Sequence, residues 1–180
     1  MSNANIHNRP FKVIEYDHSW PTQYQQYAGT IKGILGDNLT EIHHLGSTSI
    51  PGMFAKPNID IYAAVASFDV LRGSYDKMKA AGFTPRGDYS HIGEEYFTVD
   101  HQDGERIASV HIFEGGSQKI TDYKLFHDYL ISNEVDRNRY IALKRELYDK
   151  YKDDYPAYDS GKRTLIDEIK SKAKNWANNS

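Results

Sequence analysis

His44-Leu45-Gly46-Ser47-Thr48-Ser49-Ile50-Pro51-Gly52, followed by Lys56-Pro57-Asn58-Ile59-Asp60-Ile61, is the stretch that decides both the fold and the function of this chain. Leu39 to Leu45 reads as a strand ending at Gly46-Ser47, and Asn58 to Val65 reads as a strongly apolar second strand. Residues 46 to 57 between them hold two glycines, two prolines and no regular period, so they form a loop. A glycine at such a point lets backbone approach a ligand closely. Ser47 and Thr48 offer hydroxyls and amides to phosphate oxygens, and a turn or helix starting there leaves free amides that form an anion site. Lys56 brings positive charge beside the loop, or is a solvated residue before a proline. Asp60 could hold Mg²⁺, which takes one or two protein carboxylates together with substrate phosphates. By spacing alone it could equally cap a turn or pair with a lysine.

Working outward, Phe11 to Glu15 alternates apolar and polar residues and predicts a short strand or an extended lead-in. Ser19-Trp20-Pro21 opens a helix that runs to about Leu35, with Tyr24, Tyr27, Ala28, Ile31, Ile34 and Leu35 as its stripe, and Gly36-Asp37-Asn38 stops it. Phe68 to Ala81 predicts one helix closed by Gly82. Phe83 to Tyr89 contains Pro85 and Gly87 and predicts an edge strand or a loop. Glu95 to Asp100 and Arg106 to Phe113 predict a hairpin turning at His101-Gln102-Asp103-Gly104. From about Thr121 the pattern is helical: one helix with Leu125, Tyr129 and Leu130 on a face, a second over Glu134 to Tyr151, and a third from about Ser160 to Ala177, the last two separated by Tyr155-Pro156. The layout predicts one α/β (α+β) unit over 11–180, preceded by a flexible N-terminus over 1–10 and closed by a helical segment.

The bulk properties exclude several classes. The chain has 180 residues, of which 39% are hydrophobic and 26% charged, as in an ordinary globular domain. It has no cysteine, so disulfides and thiolate metal sites are ruled out. A net charge of −3 argues against broad nucleic-acid binding. No signal peptide or membrane span is visible, and a cytoplasmic location is expected. Many of the 14 tyrosines sit among charges, as in Tyr148-Asp149-Lys150-Tyr151 and Asp154-Tyr155, and these read as amphipathic helix-face residues with wet hydroxyls.

Several pieces together resemble the GrpB family: Val13-Ile14-Glu15-Tyr16-Asp17 with Trp20-Pro21, the His44 to Gly52 loop, Lys56-Pro57, Ile59-Asp60-Ile61, Val110-His111-Ile112-Phe113, Phe126-His127-Asp128-Tyr129-Leu130, Tyr140, Leu143-Lys144, and Lys162 in the closing segment. The likeness runs from about residue 11 to 177. It implies a nucleotidyltransferase-like mixed sheet flanked by helices, in a family found fused to dephospho-CoA kinase in some bacteria. It also implies a Gly-Ser loop that binds a triphosphate and a strand acid that binds a divalent metal. Active members of that superfamily carry two acids one residue apart on the strand and a third on a neighbouring strand. This chain departs from the pattern: Asn58 and Tyr62 flank Asp60 at two residues' distance.

The resemblance thus implies a protein that binds a nucleoside triphosphate with Mg²⁺ and transfers a nucleotidyl group to an acceptor the sequence does not identify. Gly46, Ser47, Thr48, Lys56 and Lys162 would bind the nucleotide, Asp60 would hold metal, and Asp60 with His111 would be catalytic. The alternative is a non-catalytic nucleotide- or coenzyme-binding module, partnered with an enzyme such as dephospho-CoA kinase. Of His43 and His44, one is expected to be half-buried and bonded to the loop. Lys162 is expected to open the last helix, where a cation opposes the helix dipole unless an anion is near. Glu94, Glu95 and Glu114 read as spare acids, Glu114 being able to complete a metal site or to be a solvated strand end. Lys144 to Asp154 reads as a solvated helix face.

Overall fold

The computed structural model describes residues 11–178; the expected flexible N-terminus over 1–10 lies outside the described residues. Five strands form one mixed sheet in the order β1-β2-β5-β4-β3. They are β1 (Leu39–Leu45), β2 (Ile59–Val65), β3 (Thr84–Gly87), β4 (Glu94–Asp100) and β5 (Arg106–Glu114). Only the central pair, β2 and β5, runs parallel; the other neighbours are antiparallel. Pro85 is tolerated because β3 lies at the sheet edge, where a missing ladder donor costs little.

Alternation along β2 sends Ile59, Ile61, Ala63 and Val65 to one face, where they are buried with Ile31, Leu35, Leu71 and Met78. Those four come from the helices α1 (Trp20–Leu35), α2 (Phe68–Gly73) and α3 (Tyr75–Ala80). The single helix expected over Phe68 to Ala81 is therefore two, broken at Gly73-Ser74, where the backbone gives up helical geometry. The opposite face carries Asp60, Tyr62 and Ala64. Tyr62 and Ala64 pack with Leu45, Phe113 and Ile120 under the start of α4 (Gln118–Ser132), so the Asp60 end is the end left open.

The tail continues with α5 (Glu134–Tyr151), α6 (Tyr155–Gly161) and α7 (Arg163–Asn178). Tyr155-Pro156 was expected as a separator; instead Asp154 accepts from the Ala157 amide and Pro156 sits in the first turn of α6. Lys162 consequently follows α6 and precedes α7 rather than lying inside the last helix. Phe11 to Glu15 is an extended lead-in, bridged to the loop by Ile14 and Ala55. Val13 and Phe54 pack there against Leu147 and Tyr158, fastening the tail over the loop. Among the described residues no helix is long and apolar enough to cross a membrane.

Candidate functional site

The loop after β1 turns at Gly46, whose φ of 81° and ψ of −172° suit glycine alone. Ser47–Ser49 then form one tight helical turn. The Asp60 carboxyl lies directly against Gly46: a Cβ built there would meet Asp60 Oδ2 at 2.5 Å. The pairing of Leu45 with Asp60 across the β1–β2 ladder produces this approach. Thr48 is buried; its Oγ1 donates to the Asn58 carbonyl at 3.0 Å and so must accept from His44 Nε2, also at 3.0 Å. His44 stacks on Tyr24, and burial, helped by His127, pushes its pKa down to about 4. It is thus a neutral imidazole that staples the loop, as expected for one of the two histidines.

Ser47, Thr48, Lys56, Asp60 and Lys162 line a single cavity of about 590 Å³, within the usual range for small-molecule sites. Sequence reasoning missed one of its buried lining residues. Lys144 was expected on a solvated face, yet it is 3% exposed and donates to Ser47 Oγ at 2.6 Å and to the Phe54 carbonyl at 3.0 Å. Burial pushes its amine well below the usual lysine pKa, with Lys162 and Lys56 pushing the same way and Asp60 opposing. Lys56 Nζ reaches the Tyr155 hydroxyl at 2.9 Å and lies over that ring. Lys162 pairs with Asp159 at 2.8 Å and lies over Tyr158. The signal for Lys144 was present in the spacing: Tyr140, Lys144 and Leu147 fall at i, i+4 and i+7, one stripe of α5.

His111 was expected beside the acid as catalytic helper. It occupies the same sheet face, but the strand residue facing Asp60 is Ser109. The His111 ring is sandwiched between Tyr62 and Tyr96, and its Nδ1 is 2.6 Å from Glu94 Oε2. Its side chain is not part of the cavity lining. Glu94 and Glu95 are not spare: both are buried, Glu95 with Arg72 and Tyr75. Glu114 accepts from the Phe68 amide at 2.7 Å. It lies five residues beyond Ser109 on β5, roughly 17 Å along the strand, too far to complete a site at Asp60.

The position two residues before Asp60 and the position facing it hold Asn58 and Ser109. A directed chain of hydrogen bonds runs through them. Arg106 Nη1 donates to the Tyr96 hydroxyl at 2.6 Å, Tyr96 and Ser109 are bonded at 3.1 Å, Ser109 donates to Asn58 Oδ1 at 3.3 Å, and Asn58 Nδ2 donates to Asp60 Oδ1 at 2.5 Å. Burial raises the Asp60 pKa against the pull of His111, Lys56, Asn58 and Lys144. These residues do not fit the expected Mg²⁺ centre. Two metals bridging nucleophile and leaving group need several carboxylates, and here one carboxylate has an oxygen already taken by an amide donor. Among the described residues no group of three or more His, Asp or Glu side chains could hold a metal ion.

A family model described as GrpB protein matches residues 10–172. The YqkA protein of Bacillus subtilis is 33% identical over 93% of this chain and 48% of its own length. A dephospho-CoA kinase of Mycolicibacterium paratuberculosis is 27% identical over 98% of this chain and 49% of the kinase. The chain spans about half the length of each of these two relatives. The crystal structure of conserved protein GrpB from Enterococcus faecalis has a TM-score of 0.84 at 28% identity, covering 92% of this chain and 99% of that one.

Proposed function

The chain belongs to the GrpB family, and from that premise we propose that its cavity binds a nucleoside triphosphate or a related phosphorylated small molecule. One observation carries the reading: the Lys144 amine is fixed on the Ser47 hydroxyl, with Lys56 and Lys162 in the same cavity. Phosphate oxygens would take the Ser47 and Thr48 turn, and the lysines would neutralise them. The aromatic side chains of Tyr155 and Tyr158 offer the apolar walls that a nucleoside needs.

Binding is the proposed activity. Transfer of the nucleotidyl group is the second reading; it rests on Asp60 sitting at the cavity wall against the Gly-Ser turn, and any metal it used would have to come bound to the ligand. Calorimetric titration with ATP, GTP, CTP and UTP tests the first; the absence of heat with all four at high micromolar ligand would sink it. Metal-dependent release of pyrophosphate that disappears in Asp60→Ala would establish the second.

The kinase relative contains a region similar to almost all of this chain and as much sequence again. A dephospho-CoA kinase is therefore the proposed protein partner, tested by co-elution of the two purified proteins. A nucleotide ligand and a cysteine-free chain suit a cytoplasmic location, which cell fractionation would check.

A further inference from the structure

Lys12, Lys56, Arg86, Arg106, Lys144 and Lys162 line the cavity together with Asp60, Glu105 and Asp159; Lys12 pairs with Glu105, Lys162 with Asp159, and Arg86 and Arg106 with Asp100. A cleft in which cations outnumber acids concentrates anions. A metal-dependent phosphate site holds Mg²⁺ jointly, between one or two carboxylates of the protein and the phosphates of the ligand. Here the acid nearest the Gly-Ser turn receives the end of a chain of donors, Arg106 to Tyr96 to Ser109 to Asn58 to Asp60, each proton pointing towards the carboxylate. The amide and hydroxyl at 58 and 109 are spent within the protein. A divalent cation at Asp60 would add two charges to a cavity that already holds the Lys56, Lys144 and Lys162 side chains. The Lys144 amine sits 2.6 Å from Ser47 Oγ, on the very turn where a phosphate would bind.

We infer that the site takes its ligand as the metal-free polyanion, a nucleoside di- or triphosphate without Mg²⁺, with Lys56, Lys144 and Lys162 supplying the neutralisation. The inference rests on the reading of the cavity as a phosphate site. It makes Mg²⁺ a competitor that sequesters the ligand, and it makes Asp60 a repulsive or neutral neighbour of the phosphates.

The test is calorimetric titration of the full chain with ATP and with inorganic tripolyphosphate, in EDTA and again in excess MgCl₂. Binding in EDTA is expected to be about tenfold tighter than in excess Mg²⁺. Asp60→Asn, nearly isosteric, should bind in EDTA as well as the native chain or up to about tenfold tighter. Lys144→Met should lose about tenfold or more. Lys56→Gln, on the loop and away from the packed face of α5, gives the same readout if Lys144→Met does not fold. Binding that requires Mg²⁺ and is lost in Asp60→Asn overturns the inference and leaves the phosphate reading standing. No binding of either probe in either condition overturns both.

Discussion

Gly46→Ala is the substitution whose cost the structure states most directly. Two separate effects add. The backbone at φ 81° and ψ −172° lies in a region that costs an L-residue about 1–3 kcal/mol. The new methyl would also meet Asp60 Oδ2 at 2.5 Å, Cβ at 3.0 Å and Cγ at 3.1 Å. Asp60 cannot swing aside cheaply, because Asn58 Nδ2 holds its other oxygen at 2.5 Å, so overpacking adds about 1–3 kcal/mol. The total is about 4 kcal/mol, or a melting temperature lower by about 8–16 °C in a chain of this size. Gly52→Ala is the control, since Gly52 has a φ of 78° but nothing within 4 Å of a built Cβ. It should cost only the backbone share, about 1–2 kcal/mol. Urea unfolding of the two variants beside the native chain measures the difference. If Gly46→Ala falls within about 1 kcal/mol of Gly52→Ala, the close approach of Asp60 to the turn is not what fixes glycine at 46.

His44 carries a pH dependence with a definite sign. Its folded pKa of about 4 lies below the ordinary histidine value of 6.5, so the unfolded chain binds the extra proton between those values. Stability from this group is full above pH 6.5 and falls as pH drops towards 4, by on the order of 2–3 kcal/mol; His44→Gln should show a flatter urea midpoint between pH 7 and pH 5 than the native chain. Lys144→Met removes a buried amine but leaves the Phe54 carbonyl without its donor, so unfolding free energy should move by no more than about 2 kcal/mol while ligand affinity drops. Stability intact with affinity intact would refute a binding role for Lys144. Asp136 accepts from Tyr129, Arg139 and Lys172 at 2.7 to 3.1 Å across three helices. Asp136→Ala should cost about 3 kcal/mol by thermal or urea unfolding with no change in ligand affinity per folded molecule.

The strands and α1 were legible because their signals are local. Alternation in Ile59 to Val65, the apolar stripe of α1 and the Gly-Asp-Asn stop each depend on a few neighbouring residues. The break at Gly73-Ser74 was missed because each residue alone is tolerated in a helix and only the pair ends one. Of the residues that line the cavity, Ser47, Thr48, Lys56, Asp60 and Lys162 could be named from the loop and the family likeness, while Gly46 turns the loop without lining it. Lys144 could not be found by charge pattern, because Arg145 and Glu146 beside it are truly exposed. Its burial follows from the tail folding over the loop, through contacts such as Val13 and Phe54 with Leu147, far apart in sequence. His111 was placed beside Asp60 for the converse reason. Alternation gives the face of a strand, but only the register with β2 shows that Ser109 is the residue opposite Asp60.

The donor chain from Arg106 to Asp60 also bears on how such a site can change over generations. Exchanging Asn58 for Asp alone would set two carboxylates 2.5 Å apart, remove the acceptor's donor, and gain nothing from Ser109, which already offers its proton in that direction. Exchanging Ser109 for Asp would keep an acceptor for the Tyr96 hydroxyl but leave Asn58 Oδ1 without its donor and facing a new charge. Each single step disturbs a hydrogen bond to a neighbouring member of the chain. The hydrogen-bond chain in that sense ties positions 58, 60 and 109 together, so that a change at any one of them is felt at the other two.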